Sequence, residues 1–145
     1  MQFVSKSGVI ATISSPCLIL PVYSKGKQAE LTEAFDQAHH KQIARVLKQG
    51  DASGKAGNTL LLQMPADSKV KRVLLVGLGE YGKTTAEDFN NAVSASFNVL
   101  KNLPIKSVCC ALLSADVTAK DGSWKVRQLV LKAREALYQY TETLT

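Results

Sequence analysis

Apolar residues in this chain gather in short unbroken runs separated by longer amphipathic stretches. The runs are CLILPVY (17–23), TLLLQM (59–64), RVLLVGL (72–78) and SVCCALL (107–113). They are too short for buried helices, and they do not alternate with polar residues. Strands covered on both faces have that appearance. A further strand is predicted near Phe3–Ser5. Between the runs, apolar positions recur at helical spacing over 29–48, 85–101 and 122–141. The resulting order, β-β-α-β-β-α-β-α, predicts an α/β fold with three α/β/α layers. Its sheet is mixed and mostly parallel, with about five or six strands. No composition break divides 1–145, so one domain is expected.

Local signals sharpen these boundaries. Gly50 follows the first helix where a left-handed residue is wanted. Thr84 lies three before Glu87 and Thr85 three before Asp88, so each offers a capping box for the second helix. Phe89, Val93, Phe97 and Leu100 make that helix's buried face, and Pro104 lies beyond its end. On the last helix, Val126, Leu129, Val130, Ala133, Ala136, Leu137 and Tyr140 form one apolar face, expected to pack on the sheet. Trp124, Leu131 and Tyr138 form a second stripe nearly opposite, flanked by Arg127 and Arg134. Such a stripe suits a partner surface.

The stretch RVLLVGLGEYGKTTAEDF (72–89) carries the most suggestive chemistry. Gly77, Gly79 and Gly82 spell the G-x-G-x-x-G dinucleotide fingerprint, and Gly77, Gly82, Lys83 and Thr84 spell a phosphate-binding loop. The fingerprint also needs an acidic residue about 20 positions on, at the end of the next strand. Here the next strand begins near Ser107 and its first acid is Asp116, which is too far. The phosphate loop fits better in order, with Asp116 as a candidate magnesium acid. Yet the pattern fixes few positions, and Glu80 would put a carboxylate in the cradle. The favoured expectation is a sharp strand-to-helix turn with Thr84 as the cap. A nucleotide or ADP-ribose module using Gly77–Thr84 is the alternative.

Composition narrows the class. The net charge is +6, from 18 basic and 12 acidic residues, but the lysines are scattered from Lys6 to Lys132. A solvated basic surface is expected, with a DNA-contacting surface as a rival. Cys17, Cys109 and Cys110 form no C-x-x-C and lie in apolar runs, as reduced thiols of a cytoplasmic protein would. Neither a signal-peptide layout nor a run of about 20 apolar residues is present, so no membrane role is expected. His39 and His40 are neighbours on a predicted helix and point to different faces, unlike the i, i+4 pair of H-E-x-x-H. One is expected at the surface and one at a rim. No catalytic, cofactor-binding or metal-binding residue is assigned.

Three further segments carry a resemblance. GDASGKAGNTLLL (50–62), KRVLLVGLG (71–79) and WKVRQLVLKAREALY (124–138) occur in the order and spacing of the N-terminal domain of the leucyl aminopeptidase family. QFVSKSG and CLILPVY look like that domain's first two strands. The resemblance implies a fold like that of ADP-ribose-binding macro domains, joined by a helix to a larger catalytic domain. It implies a homo-hexameric cytosolic metallopeptidase, a hydrolase that releases N-terminal residues from peptides with water activated by two divalent ions, manganese or zinc. The family's ligand stretches, resembling VGKGITFDSGG and NTDAEGR, do not occur between Met1 and Thr145. The implied role here is therefore assembly and access. The partners are the chain's own catalytic domain and neighbouring subunits, met through Trp124, Leu131 and Tyr138.

Overall fold

The computed structural model describes residues 2–4, 14–104, 107–112, 115, 117–118 and 120–132. Five strands form one sheet: β1 (Gln2–Val4), β2 (Leu18–Val22), β3 (Thr59–Gln63), β4 (Arg72–Gly77) and β5 (Ser107–Cys110). Their spatial order is β1-β5-β2-β4-β3. The β1–β5, β5–β2 and β2–β4 pairs are parallel, and β3 runs antiparallel to β4. The sheet is mixed and mostly parallel, as the apolar runs predict.

Burial alternates along the two central strands because side chains alternate across a pleat. Leu18, Leu20, Val22, Val73 and Leu75 face Phe35 and Ile43 of helices α1 (Glu30–Ala38) and α2 (Gln42–Gln49). Ile19, Leu74 and Val76 face Phe89, Val93, Phe97 and Leu100 of α3 (Ala86–Leu100). Those α3 residues are the predicted buried face, and all are buried. A last helix covers 122–132 and shares the α3 side through Trp124 and Leu129. These are three layers, helices on both faces of one sheet.

Pro21 interrupts a central strand without breaking it. The carbonyls of Cys17 and Ile19 accept from Cys109 and Ala111, so odd-numbered residues of β2 turn their polar groups toward β5. The ladder with β5 pairs only Leu18 and Ile19. The missing N–H of Pro21 thus falls where no strand remains to accept it, and its carbonyl accepts from the Thr32 hydroxyl at 2.7 Å.

Two boundaries differ from the sequence reading. The single helix expected over 29–48 is two helices, broken at residues 39–41. His40 and Lys41 are left-handed (φ 63° and 54°), and the buried Asp36 carboxylate accepts from Ile43 N (2.7 Å) and Ala44 N (3.0 Å). Asp36 thereby supplies, from α1, the cap that Lys41 does not give α2. Periodicity does not see this because apolar spacing continues across the break. The cap of α3 is Thr85 rather than Thr84. Thr85 and Asp88 form a reciprocal capping box, whereas Thr84 is buried with its hydroxyl toward Leu78 O at 3.4 Å. Gly50 does end α2 in the left-handed conformation, φ 86°.

The 50–58 segment crosses the carboxyl end of β4 at backbone contact. A Cβ at Gly77 would lie 1.9 Å from Lys55 O, and one at Gly54 2.4 Å from Tyr23 C. Gly82 has φ +81° but open space around it. Gly77→Ala is therefore expected to cost about 3 kcal/mol, because backbone must move. Gly82→Ala should cost about 1–2 kcal/mol of conformational strain alone. Urea unfolding of the two variants checks the order; equal losses would mean that the crossing is loose.

Candidate functional site

Ligands of open α/β sheets bind outside the carboxyl ends of the parallel strands. That end is built here by the residues after β2 and β4. Tyr23 closes β2, its backbone held by the Gln28 side chain (Tyr23 N to Oε1 2.8 Å, Nε2 to Tyr23 O 2.9 Å). The Tyr81 ring meets Tyr23 edge-on at 5.1 Å, and the Lys27 ammonium lies 5.1 Å from the Tyr81 centroid. Beside them a cavity of about 310 Å³ is lined by Tyr23, Glu30, Leu31, Tyr81, Gly82 and Ala115 among others. Apart from Gly82, none of these was singled out from sequence; two tyrosines far apart in the chain give no local signal.

The glycine loop does not present a phosphate cradle. Such a cradle needs backbone N–H groups free to converge on an anion. Here Gly77 N donates to Asn58 O, Leu78 N to Val22 O and Gly79 N to Gly54 O. Tyr81 N donates to Lys25 O and Lys83 N to Glu80 O. The Lys83 ammonium pairs with the Glu80 carboxylate at 3.6 Å, both well exposed. The three glycines give a turn and a close approach, which is the structural role expected of them. Asp116 lies outside the described residues. The geometry does not favour the nucleotide reading.

The histidines lie on the break between α1 and α2, not on a helix. His39 is half-buried, its ring stacked on Phe35 at 3.9 Å with Nδ1 2.8 Å from Phe35 O. His40 is exposed. They are the rim and surface residues that adjacency implied. Among the described residues, no three His, Cys, Asp or Glu side chains group as metal ligands would.

All three cysteines are free. Burial pushes the Cys17 thiol up from 9.0 to about 11 and the Cys110 thiol up to about 12. Nearby Arg72 opposes the shift at Cys17 more weakly.

The last helix is rotated from its predicted phase. Trp124, Lys125, Gln128, Leu129 and Lys132 are the less exposed positions and trace one stripe. Val126 and Val130, expected on the sheet, are 46% and 42% exposed. Trp124, expected outside, packs on Phe89 at 5.6 Å and receives the Lys120 ammonium at 5.3 Å. Leu131 is exposed as expected, at 50%. The phase is set by Asp121, whose carboxylate caps Trp124 N at 2.8 Å, and by Lys125, whose ammonium donates to Ala115 O at 2.8 Å. A lysine stem packs as an apolar chain when its head finds an acceptor. Ranking positions by apolarity alone sends Lys125 outward and Val126 inward. Ala133, Arg134, Ala136, Leu137, Tyr138 and Tyr140 lie outside the described residues.

Comparison with known proteins places this fold and sequence. The Mycobacterium tuberculosis DarG macrodomain superposes with a TM-score of 0.70 at 12% identity, covering 92% of this chain and 91% of that one. The architecture is thus a macro-domain-like α/β fold. A mutant of tomato leucine aminopeptidase superposes with a TM-score of 0.61 at 18% identity, over 92% of this chain and 28% of that one. A probable cytosol aminopeptidase of Nitrosospira multiformis is 34% identical over 140 residues, 97% of this chain and 27% of the relative. The family model of the cytosol aminopeptidase N-terminal domain matches residues 19–145. The chain belongs to the cytosol aminopeptidase family, as its N-terminal domain. It spans a little over a quarter of the length of the curated relatives it matches.

Two measurements check the site. Titration with ATP–magnesium should give no saturable heat; a micromolar dissociation constant lost in Lys83→Ala would restore the phosphate loop. Iodoacetamide at pH 8 should label the native thiols Cys17 and Cys110 far more slowly than the unfolded chain. Because unfolded thiols ionise near 9.0 while these keep their protons to about 11 and 12, their contribution to stability is intact below pH 9. It falls as pH rises from there through the folded values. Rapid native labelling at pH 8 would contradict the burial.

Proposed function

We propose that this chain is the non-catalytic assembly and access domain of a two-domain, cytoplasmic, dimetal leucyl aminopeptidase. The observation that carries the reading is the family match over 19–145 by a chain spanning 27% of its 34%-identical relative. In that reading the remainder of the enzyme holds two divalent ions, manganese or zinc, that activate water against the N-terminal peptide bond. Among the described residues, no helix is long and apolar enough to cross a membrane.

The contact surface moves with the corrected helix phase. Val126 and Val130 lie at i and i+4 and make one exposed row, and Arg127 and Leu131, also i and i+4, make another on the same exposed part of the helix. This pair of rows, rather than Trp124, is the candidate seat for the catalytic domain or a neighbouring subunit of the hexamer. The chain alone should hydrolyse no leucine anilide, with or without manganese or zinc. Turnover that survives repurification and scales with the chain would overturn the reading. Leu131→Asp should leave the chain's circular dichroism unchanged while weakening its association with a separately expressed family catalytic domain. Unchanged association would remove the Leu131 row from the interface.

A further inference from the structure

A second cavity lies where the turn between β3 and β4 meets the break between α1 and α2. Its volume is about 360 Å³, at the lower end of the range for small-molecule sites. His39, His40 and Arg45 line it from the break and from α2. Asp67 and Lys69 line it from the turn, where Met64 and Pro65 add apolar surface. The turn leads into the start of β4, so the glycine loop and the tyrosine pair are at the opposite end of that strand.

Both walls are held in place by groups that leave the charged heads free. The turn is closed by Ser68 N donating to Pro65 O at 2.9 Å. The Lys71 ammonium donates to Ala66 O (3.1 Å) and Ser68 O (2.7 Å) across it. Ser15 N donates to Lys69 O at 3.1 Å and ties the turn to the residues before β2. On the other wall, Asp36 O accepts from His39 N (3.1 Å) and Lys41 N (2.8 Å). A carbonyl can only accept, so His39 Nδ1 carries the proton of its bond to Phe35 O, and Nε2 is left unbonded. The side chains of Arg45, Lys69 and His40 have no hydrogen-bond or ion-pair partner among the described residues. His40 is left-handed without being glycine. A glycine there would relieve that strain and take an imidazole out of the cavity wall.

We propose that this cavity binds a small, doubly charged oxyanion carried on an apolar body. Two fixed cations, one from each wall, face it against a single carboxylate. The Arg45 fork suits two oxygens of one head group, and Lys69 supplies a point charge from across the cavity. Met64 and Pro65 are there to cover the body. Walls already held by their own hydrogen bonds have little order left to lose on binding. Asp67 opposes an anion, yet it forms no ion pair with Arg45 or Lys69, so neither cation is neutralised. Its removal should therefore tighten binding. A zwitterionic ligand, needing Asp67 for its ammonium, would respond the other way.

The test is titration of the chain with phenyl phosphate and with phthalate, followed by amide NMR shifts in low salt at about pH 7.5. At least one probe should saturate with a Kd of about 1 mM, moving the amides of His39, His40, Ser68 and Lys69. The tighter of the two identifies the head group as phosphate or dicarboxylate. Benzoate, with the same ring and a single charge, should bind about threefold more weakly. Arg45→Gln and Lys69→Gln should each raise the Kd about fivefold, and Asp67→Asn should lower it about threefold. All three side chains are exposed, so circular dichroism should stay native in each variant. Absence of saturation by about 20 mM with both probes overturns the proposal. So do shifts confined to another part of the chain, a Kd that the Arg45 and Lys69 variants leave unchanged, or weaker binding in Asp67→Asn.

Discussion

The pairing of β2 with β4 is the contact on which the rest of this structure depends. Leu18–Val22 lies parallel to Val73–Gly77, and both strands are apolar on both faces. Alternate residues of the same ten positions anchor the α1–α2 layer and the α3 layer. Each buried leucine or valine contributes about 1.5–3 kcal/mol relative to exposure. A polar residue in this ladder would therefore unseat helices on one side and leave the other side without support. The antiparallel β3, the parallel β5 and the covering helices are additions to that pair.

Much of this was legible because continuous apolar runs can only be sheet interior at these lengths. CLILPVY, RVLLVGL and the spacing of Phe89, Val93, Phe97 and Leu100 require no tertiary information to interpret. The failures share one cause: side chains that act at a distance along the chain. Asp36 caps a helix beginning six residues later, and Thr32 satisfies the carbonyl of Pro21. Lys125 goes inward because Ala115 offers an acceptor. Spacing reports which residues are apolar, but not which polar ones have found partners.

The glycine loop makes the same distinction at the candidate site. Its letters match two phosphate-binding patterns, and its position after a parallel strand is the expected one for a ligand. What decides the chemistry is where the N–H groups point, and five of them between Gly77 and Lys83 point to carbonyls of this chain. A motif defined by glycine records only that backbone comes close to something. In this fold that something is the 50–58 segment.

The crossing at Gly54 and Gly77 also has a kinetic meaning. Gly57 N and Gly79 N reach across it in opposite directions, to Gly77 O and Gly54 O. The segment therefore cannot lift without breaking bonds that β4 itself uses to continue past its end. A surface loop of this length would ordinarily open and close independently of the sheet beneath it. This one is laced to the central strand and shares its fate, so the two belong to a single cooperative unit of unfolding. The carboxyl end of the sheet is here locked from the inside by the segment that crosses it.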